Sequence, residues 1–176
     1  MARYRRYRRR RRQSRWSSNI VDIGPNTFIL QPESFSATEY TLVTNPAYNN
    51  QVGNNIYTVK NVEVCMNFDA PGQQHTSPIE NLQFYIMYVP ESMAVGDDFA
   101  IKHPEYIMAM RYYGEPGNDA ASNSFRSPAI RIKSRLSRKL NTGDRIILFI
   151  RGANTSTSAT ATATYGGIVR WWTKAN

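Results

Sequence analysis

The residues best equipped for chemistry stand at the front of the chain. Arg3, Arg5, Arg6, Arg8, Arg9, Arg10, Arg11, Arg12 and Arg15 put nine guanidinium groups into the first 16 positions, with no acid among them. A guanidinium is planar, permanently charged and forked, so it grips phosphate oxygens through two parallel hydrogen bonds. A dense array of them releases the counterions condensed on a nucleic acid, giving strong, salt-sensitive binding that reads no sequence. Tyr4, Tyr7 and Trp16 are interleaved with the cations. Rings of this kind stack on unpaired bases at about 1–3 kcal/mol each, which suits a single strand. The same stretch also has the composition of a nuclear-localisation signal, a compatible second use.

A second basic series comprises Arg126, Arg131, Lys133, Arg135, Arg138 and Lys139, with no acid before Asp144. Alternation along a strand places Arg131, Lys133 and Arg135 on one face. Two readings stay open: a surface lining a nucleic-acid compartment, or a solvated face balanced by acids on neighbouring strands.

Catalytic constellations are scarce. His75 and His103 lie in turn contexts near prolines, without metal-ligand spacing partners. Cys65 alternates onto the polar side of its run, where nothing depresses its pKa, and reads as structural. There is no glycine-rich phosphate loop and no nucleophile elbow. Asp97 and Asp98 could join a cation site between subunits, since carboxylates are hard oxygen ligands, but a solvated helix start is the simpler reading. The expectation is a protein that is not an enzyme and uses no cofactor or metal.

The charge distribution sharpens this. The net charge is +9, and residues 1–16 supply all of it; the rest of the chain carries 13 basic and 13 acidic residues. A polycation is therefore joined to a neutral domain. With 176 residues and 41% hydrophobic content, one domain with a sizeable core is expected. Residues 1–19 read as a tail without an apolar face, disordered alone, and residues 20–176 as the folded domain. The single cysteine, Cys65, allows no intrachain disulfide. The basic start lacks an apolar stretch behind it, and no run approaches the roughly 18 residues of a membrane span. A soluble, intracellular protein without membrane insertion is expected. Asn154-Thr155-Ser156 matches a glycosylation sequon but lacks the secretion context that would use it.

What must position these residues is a set of strands. Runs rich in Tyr, Val, Ile, Phe and Thr cover 27–31, 37–44, 56–68, 82–89, 105–113, 126–137, 145–151 and 164–173. In the third, Val62, Val64, Met66 and Phe68 share a face, and the parity slips near Lys60 and Asn61, where a bulge is natural. In the sixth, Ile130, Ile132 and Leu136 point one way. The seventh is apolar on both parities over 146–150, which predicts a central, fully covered strand. Turn chemistry separates the runs at 69–72, 113–118 and 141–144. The Ser/Thr/Ala stretch 153–164 reads as an exposed loop, and the one helix candidate, 97–101, is stopped by Pro104. Phe84, Tyr85, Tyr88, Tyr106, Tyr112, Tyr113 and Tyr165 divide between core and subunit contact, with Trp171-Trp172 the first candidate for a contact pair. The fold class expected is all-β: an eight-stranded antiparallel jelly-roll sandwich with a disordered basic arm.

Three stretches carry a resemblance: Met1-Ala2-Arg3-Tyr4-Arg5-Arg6-Tyr7 followed by the arginine run; Lys102-His103-Pro104-Glu105-Tyr106-Ile107-Met108; and Ser134-Arg135-Leu136-Ser137-Arg138-Lys139-Leu140-Asn141-Thr142-Gly143-Asp144-Arg145-Ile146. With the strand order, the chain resembles the capsid proteins of small circular single-stranded DNA viruses, the circovirus-like, Rep-encoding group. The resemblance implies a single jelly roll, about 60 copies of which close into an icosahedral shell with arms inward. Their arms would bring about 540 positive charges to the interior, an amount suited to a very small genome. It also implies single-stranded DNA as cargo, contact with host nuclear import machinery, and residence in the virion and host nucleus. The chain is shorter than the circovirus proteins, with a brief arm, and no receptor or surface-loop function carries over. The rival class is a basic-tailed nucleic-acid-binding β domain, RNA-binding or a satellite RNA virus coat, and a domain netting zero charge weighs against a plain binding module.

Overall fold

The computed structural model describes residues 16–45, 56–71, 79–113, 124–126 and 129–175. The elements are β1 (Ser17–Leu30), β2 (Ser34–Thr44), β3 (Tyr57–Pro71), β4 (Ile79–Val89), α1 (Phe99–Lys102), a 3-10 turn (Pro104–Tyr106), β5 (Ile107–Tyr113), β6 (Ser124–Arg126), β7 (Ile130–Lys133), β8 (Ser137–Leu140), β9 (Arg145–Asn154) and β10 (Ala161–Ala175). Sheet A runs β1-β10-β3, with β6, β7 and β8 each pairing the far edge of β3; sheet B runs β2-β9-β4-β5. Every pairing is antiparallel. Taking β6, β7 and β8 as one interrupted strand leaves eight among the described residues. The first then pairs the last, the second the seventh, the third the sixth and the fourth the fifth. That is the jelly roll, a long antiparallel ribbon rolled into two facing sheets.

Alternation builds the core between the sheets. Val62, Val64, Met66 and Phe68 of β3 are buried as their spacing requires. The parity slip is also present: the β10–β3 register jumps from Arg170 opposite Glu63 to Trp172 opposite Lys60. Asn61 takes up the extra residue at φ 51°, a left-handed conformation that asparagine tolerates. Phe28, Phe68 and Phe84 stand edge to face in sequence, with centroids 6.5 and 5.7 Å apart. At Gly167 a Cβ would strike the Cys65 carbonyl, so the close approach of β10 to β3 requires glycine.

The strand β9 is central in sheet B and apolar on both faces for a visible reason. Ile146, Leu148 and Ile150 enter the inter-sheet core. Ile147 and Phe149 enter a second cluster with Tyr85, Met87, Val89, Phe99 and Ala100, against which Met93, Val95 and Tyr106 pack. Segment 90–106 thus covers the outer face of sheet B. Helix α1 lies where the sequence indicates and ends before Pro104.

Five expectations need correction. Ser17, Ser18 and Asn19, assigned to the tail, are strand residues opposite Thr173, Trp172 and Trp171. The run 126–137 is broken into three short strands. Leu136 falls in the link between β7 and β8 and is 49% exposed, whereas Ile130 and Ile132 are buried. Trp171 is buried in the core and does not form a surface pair with Trp172. The loop 153–164 shrinks to 155–160, because Ala161 and Ala163 are small enough to lie flat against the core as the start of β10.

Candidate nucleic-acid interface

The arm residues Arg3 through Arg12 and Arg15, with Tyr4 and Tyr7, lie outside the described residues, as do His75 and the turn 114–118. Trp16 is described, and it fixes where the arm joins the fold. It precedes β1, and the Lys60 ammonium of β3 stands 3.9 Å from its ring centroid. Sheet register shows what surrounds that point. Ser18, Trp172, Lys60 and Ser137 form one row across β1, β10, β3 and β8, and Lys174, Thr58 and Lys139 form the row beside it.

These residues share the outer face of sheet A. Trp171, Val59 and Leu140 are buried on the inner side, and alternation sends Trp172, Lys60 and Lys139 outward. Two rows at the arm root therefore carry Lys60, Lys139 and Lys174 and no carboxylate. Arg170 follows in the next row, its guanidinium carbon 4.7 Å from the Trp172 ring centroid. Cation–π contacts of this kind are worth about 0.5–1 kcal/mol where exposed.

Further along the face the cations meet an acid. Arg131 and Lys133 on β7 point outward, as alternation predicts, and both reach Glu63 on β3. Arg131 Nε donates to Glu63 Oε1 at 2.5 Å, and Lys133 Nζ lies 3.8 Å from Oε2. The Glu63 side chain is 11% exposed, so this pair of contacts is partly desolvated. Both cations are thus paired with an acid on the neighbouring strand. Arg135 is exposed in the link after β7, apart from that cluster. Arg138 turns the other way: its guanidinium lies over Tyr88 at 5.6 Å and donates to the Glu105 carbonyl.

Sequence inspection singled out Trp16, Arg131, Lys133 and Arg135, but not Lys60, Lys139, Arg170, Trp172 and Lys174 as a group. Their signal is not contiguous. They come from three strands scattered along most of the chain, and only the β10–β3–β8 register brings them into adjacent rows.

Asp97, Asp98, His103 and Asn154 are engaged structurally. Asp97 Oδ1 accepts the Ala37 N–H at 3.1 Å, and Asp98 lies 4.0 Å from Lys102 Nζ and 3.8 Å from Arg151. His103 Nδ1 is 3.2 Å from Glu105 Oε1, and its ring stacks on Tyr106. Asn154 is buried and donates to the Leu30 and Ala159 carbonyls, so the sequon amide is committed to the fold. Among the described residues no cluster of three or more His, Cys, Asp or Glu is placed to hold a metal, and no helix is long and apolar enough to cross a membrane.

No protein-family sequence model matches the chain, and no curated protein matches it. Among solved structures it is similar to that of infectious bursal disease virus Gx strain, with 10% identity and a TM-score of 0.41 over 90% of this chain and 32% of that one. It is similar too to that of infectious bursal disease virus Gt strain, with 11% identity and a TM-score of 0.26 over 90% of this chain and 41% of that one. The chain spans about a third of the length of the first of these. Overlap at this level bears on neither family nor function, and the jelly roll rests on the strand order itself.

Proposed function

We propose that the protein is a non-enzymatic capsid subunit whose copies close into an icosahedral shell around single-stranded DNA, held by the arginine arm. The observation that supports this is the position of Trp16, which follows the arginine run. It precedes the edge strand β1 of sheet A and lies under Lys60, on the face that also carries Lys174 and Lys139, while segment 90–106 covers the opposite outer face. Nucleic acid held by the arm would therefore meet the face whose nearest charges are positive.

Two physical effects then divide the work. The neutral β domain supplies closure through exposed apolar and aromatic side chains such as Met110 and Tyr112 on the edge strand β5. The arm supplies neutralisation without sequence reading, which couples assembly to packaging and makes it salt-dependent. The same arm would engage host nuclear import machinery, placing the protein in the virion and the host nucleus. The resemblance to circovirus-like proteins supports DNA over RNA as cargo.

Negative-stain microscopy with nuclease protection tests this, using the full chain and a full-length variant with Arg8 through Arg12 replaced by Gln. Uniform closed particles are expected, shielding nucleic acid with the native arm and losing that shielding in the variant. A monomer that binds nucleic acid but closes at no salt or pH would replace this reading with that of a basic-tailed binding module.

A further inference from the structure

We propose that the folded domain carries a second nucleotide site at the arm root, selective for single strands. In it the Trp172 ring receives an unpaired base, and Lys60, Lys139, Arg170 and Lys174 hold the flanking phosphates. This rests on the packaging function proposed above and goes beyond it, because it assigns single-strand contacts to the folded domain as well as to the arm.

The placement follows from the register. Trp171 fills the core, so Trp172 stands on the outer face of sheet A, half-buried. Arg170, Trp172 and Lys174 follow at every second residue of β10, about 7 Å apart along one face. Lys60 is directly opposite Trp172 on β3, about 5 Å across the ladder, and Lys139 stands on β8 one strand beyond Thr58. Arg170, Lys60 and Lys174 thus adjoin one large ring, and Lys139 stands one strand further along the same face. Among the described residues the nearest carboxylate on the face is Glu63, which lies opposite Arg170 on β3 and is held by Arg131 and Lys133.

That composition selects its occupant. Cations in such numbers call for a polyanion, and an aromatic platform among them calls for one with accessible flat faces. Single-stranded nucleic acid has both, whereas a duplex keeps its base faces stacked inside. The Lys60 ammonium over the Trp16 ring places the residue that follows the arginine run close to the platform.

The test is fluorescence anisotropy on the full-length protein, with a labelled oligothymidylate and a duplex of equal length, over a range of salt. Trp172→Leu should weaken single-strand binding about 5- to 100-fold, with Trp172→Phe restoring most of it. Duplex binding should change less than about two-fold in either variant. Lys60→Gln with Lys174→Gln should flatten the single-strand slope of log K against log salt by about 1.4, or about 0.7 for each phosphate no longer neutralised. Circular dichroism checks folding, and the Phe and Lys variants carry the test if the Leu variant does not fold. Unchanged single-strand binding, or equal losses for single strand and duplex, overturns the site. So does loss of closed particles in Trp172→Leu at unchanged oligonucleotide affinity, which would assign the ring to a contact between copies. The packaging function fails separately, by a wild-type protein that never closes.

Discussion

The Tyr88 hydroxyl of β4 donates to Asp144 Oδ2 at 2.8 Å, tying one strand of sheet B to the turn that launches another. Asp144 is buried and also accepts the N–H groups of Asn141 at 2.8 Å and Glu91 at 3.1 Å. Burial, then the bond and the charge of Asp144, push the Tyr88 pKa up to about 12, against an opposing effect of Arg138. The neutral phenol is therefore the form that folding stabilises. Its contribution is complete below the unfolded value of about 10 and is lost as pH rises through about 12. Burial raises Tyr85 and Tyr165 in the same direction. Urea unfolding midpoints should stay level to about pH 10 and then fall. Tyr88→Phe should cost about 1 kcal/mol at neutral pH and flatten that alkaline decline. An equally steep decline in the variant would remove Tyr88 from the explanation.

The inner and outer positions of sheet A make a second, sharper contrast. Phe68 is fully buried between Phe28 and Phe84, so Phe68→Ala should cost about 3–5 kcal/mol. Leu136 is apolar but exposed in the link after β7, and Leu136→Ala should change stability by no more than about 0.5 kcal/mol. Denaturant titration of both decides it, and comparable losses would return Leu136 to the core.

Much of the fold was legible because period-2 patterning survives wherever one face is buried. Val62 to Phe68 declare their side, and β9 declares its central place by being apolar on both. The pattern failed where the backbone departs from a ladder. Leu136 shares the parity of Ile132, but Ser134 is buried, donating its hydroxyl to the Met108 carbonyl and its N–H to the Val62 carbonyl, and the chain breaks alternation there. Ser17 to Asn19 look like tail because they are small and polar, yet an edge strand asks only for a neighbour, and β10 supplies it. The site was less legible. Arg131 and Lys133 stand out in sequence, but Glu63, which binds both, lies 68 residues from Arg131. Lys60, Trp172 and Lys139 become neighbours only through register.

Asn61 tests the bulge that sets this register. At φ 51° a β-branched side chain is strained and glycine is not. Asn61→Val should cost about 1–3 kcal/mol, while Asn61→Gly should be close to neutral. Because the slip places Lys60 opposite Trp172, Asn61→Val should also weaken single-strand binding. Thermal unfolding and anisotropy on the two variants measure both effects, and equal stability of Val and Gly at this position would mean that the bulge is not held at a positive φ.

Glu63 sets folding against binding. It accepts from Arg131 and lies near Lys133, so Glu63→Gln removes the charge that neutralises them while keeping the shape. Stability should fall by about 1–3 kcal/mol, since the charge-assisted pairing of Arg131 and Lys133 with a largely buried carboxylate is lost. Nucleic-acid affinity should move the opposite way. Two released cations on the face beside the arm root should steepen the salt dependence of single-strand binding by up to about 1.4 in slope and tighten binding at low salt. The paired measurement is a urea titration and an oligonucleotide anisotropy titration on the same preparation. A variant that loses stability without gaining affinity would mean that the β7 cations do not face the packaged strand, confining the interface to the arm and its root.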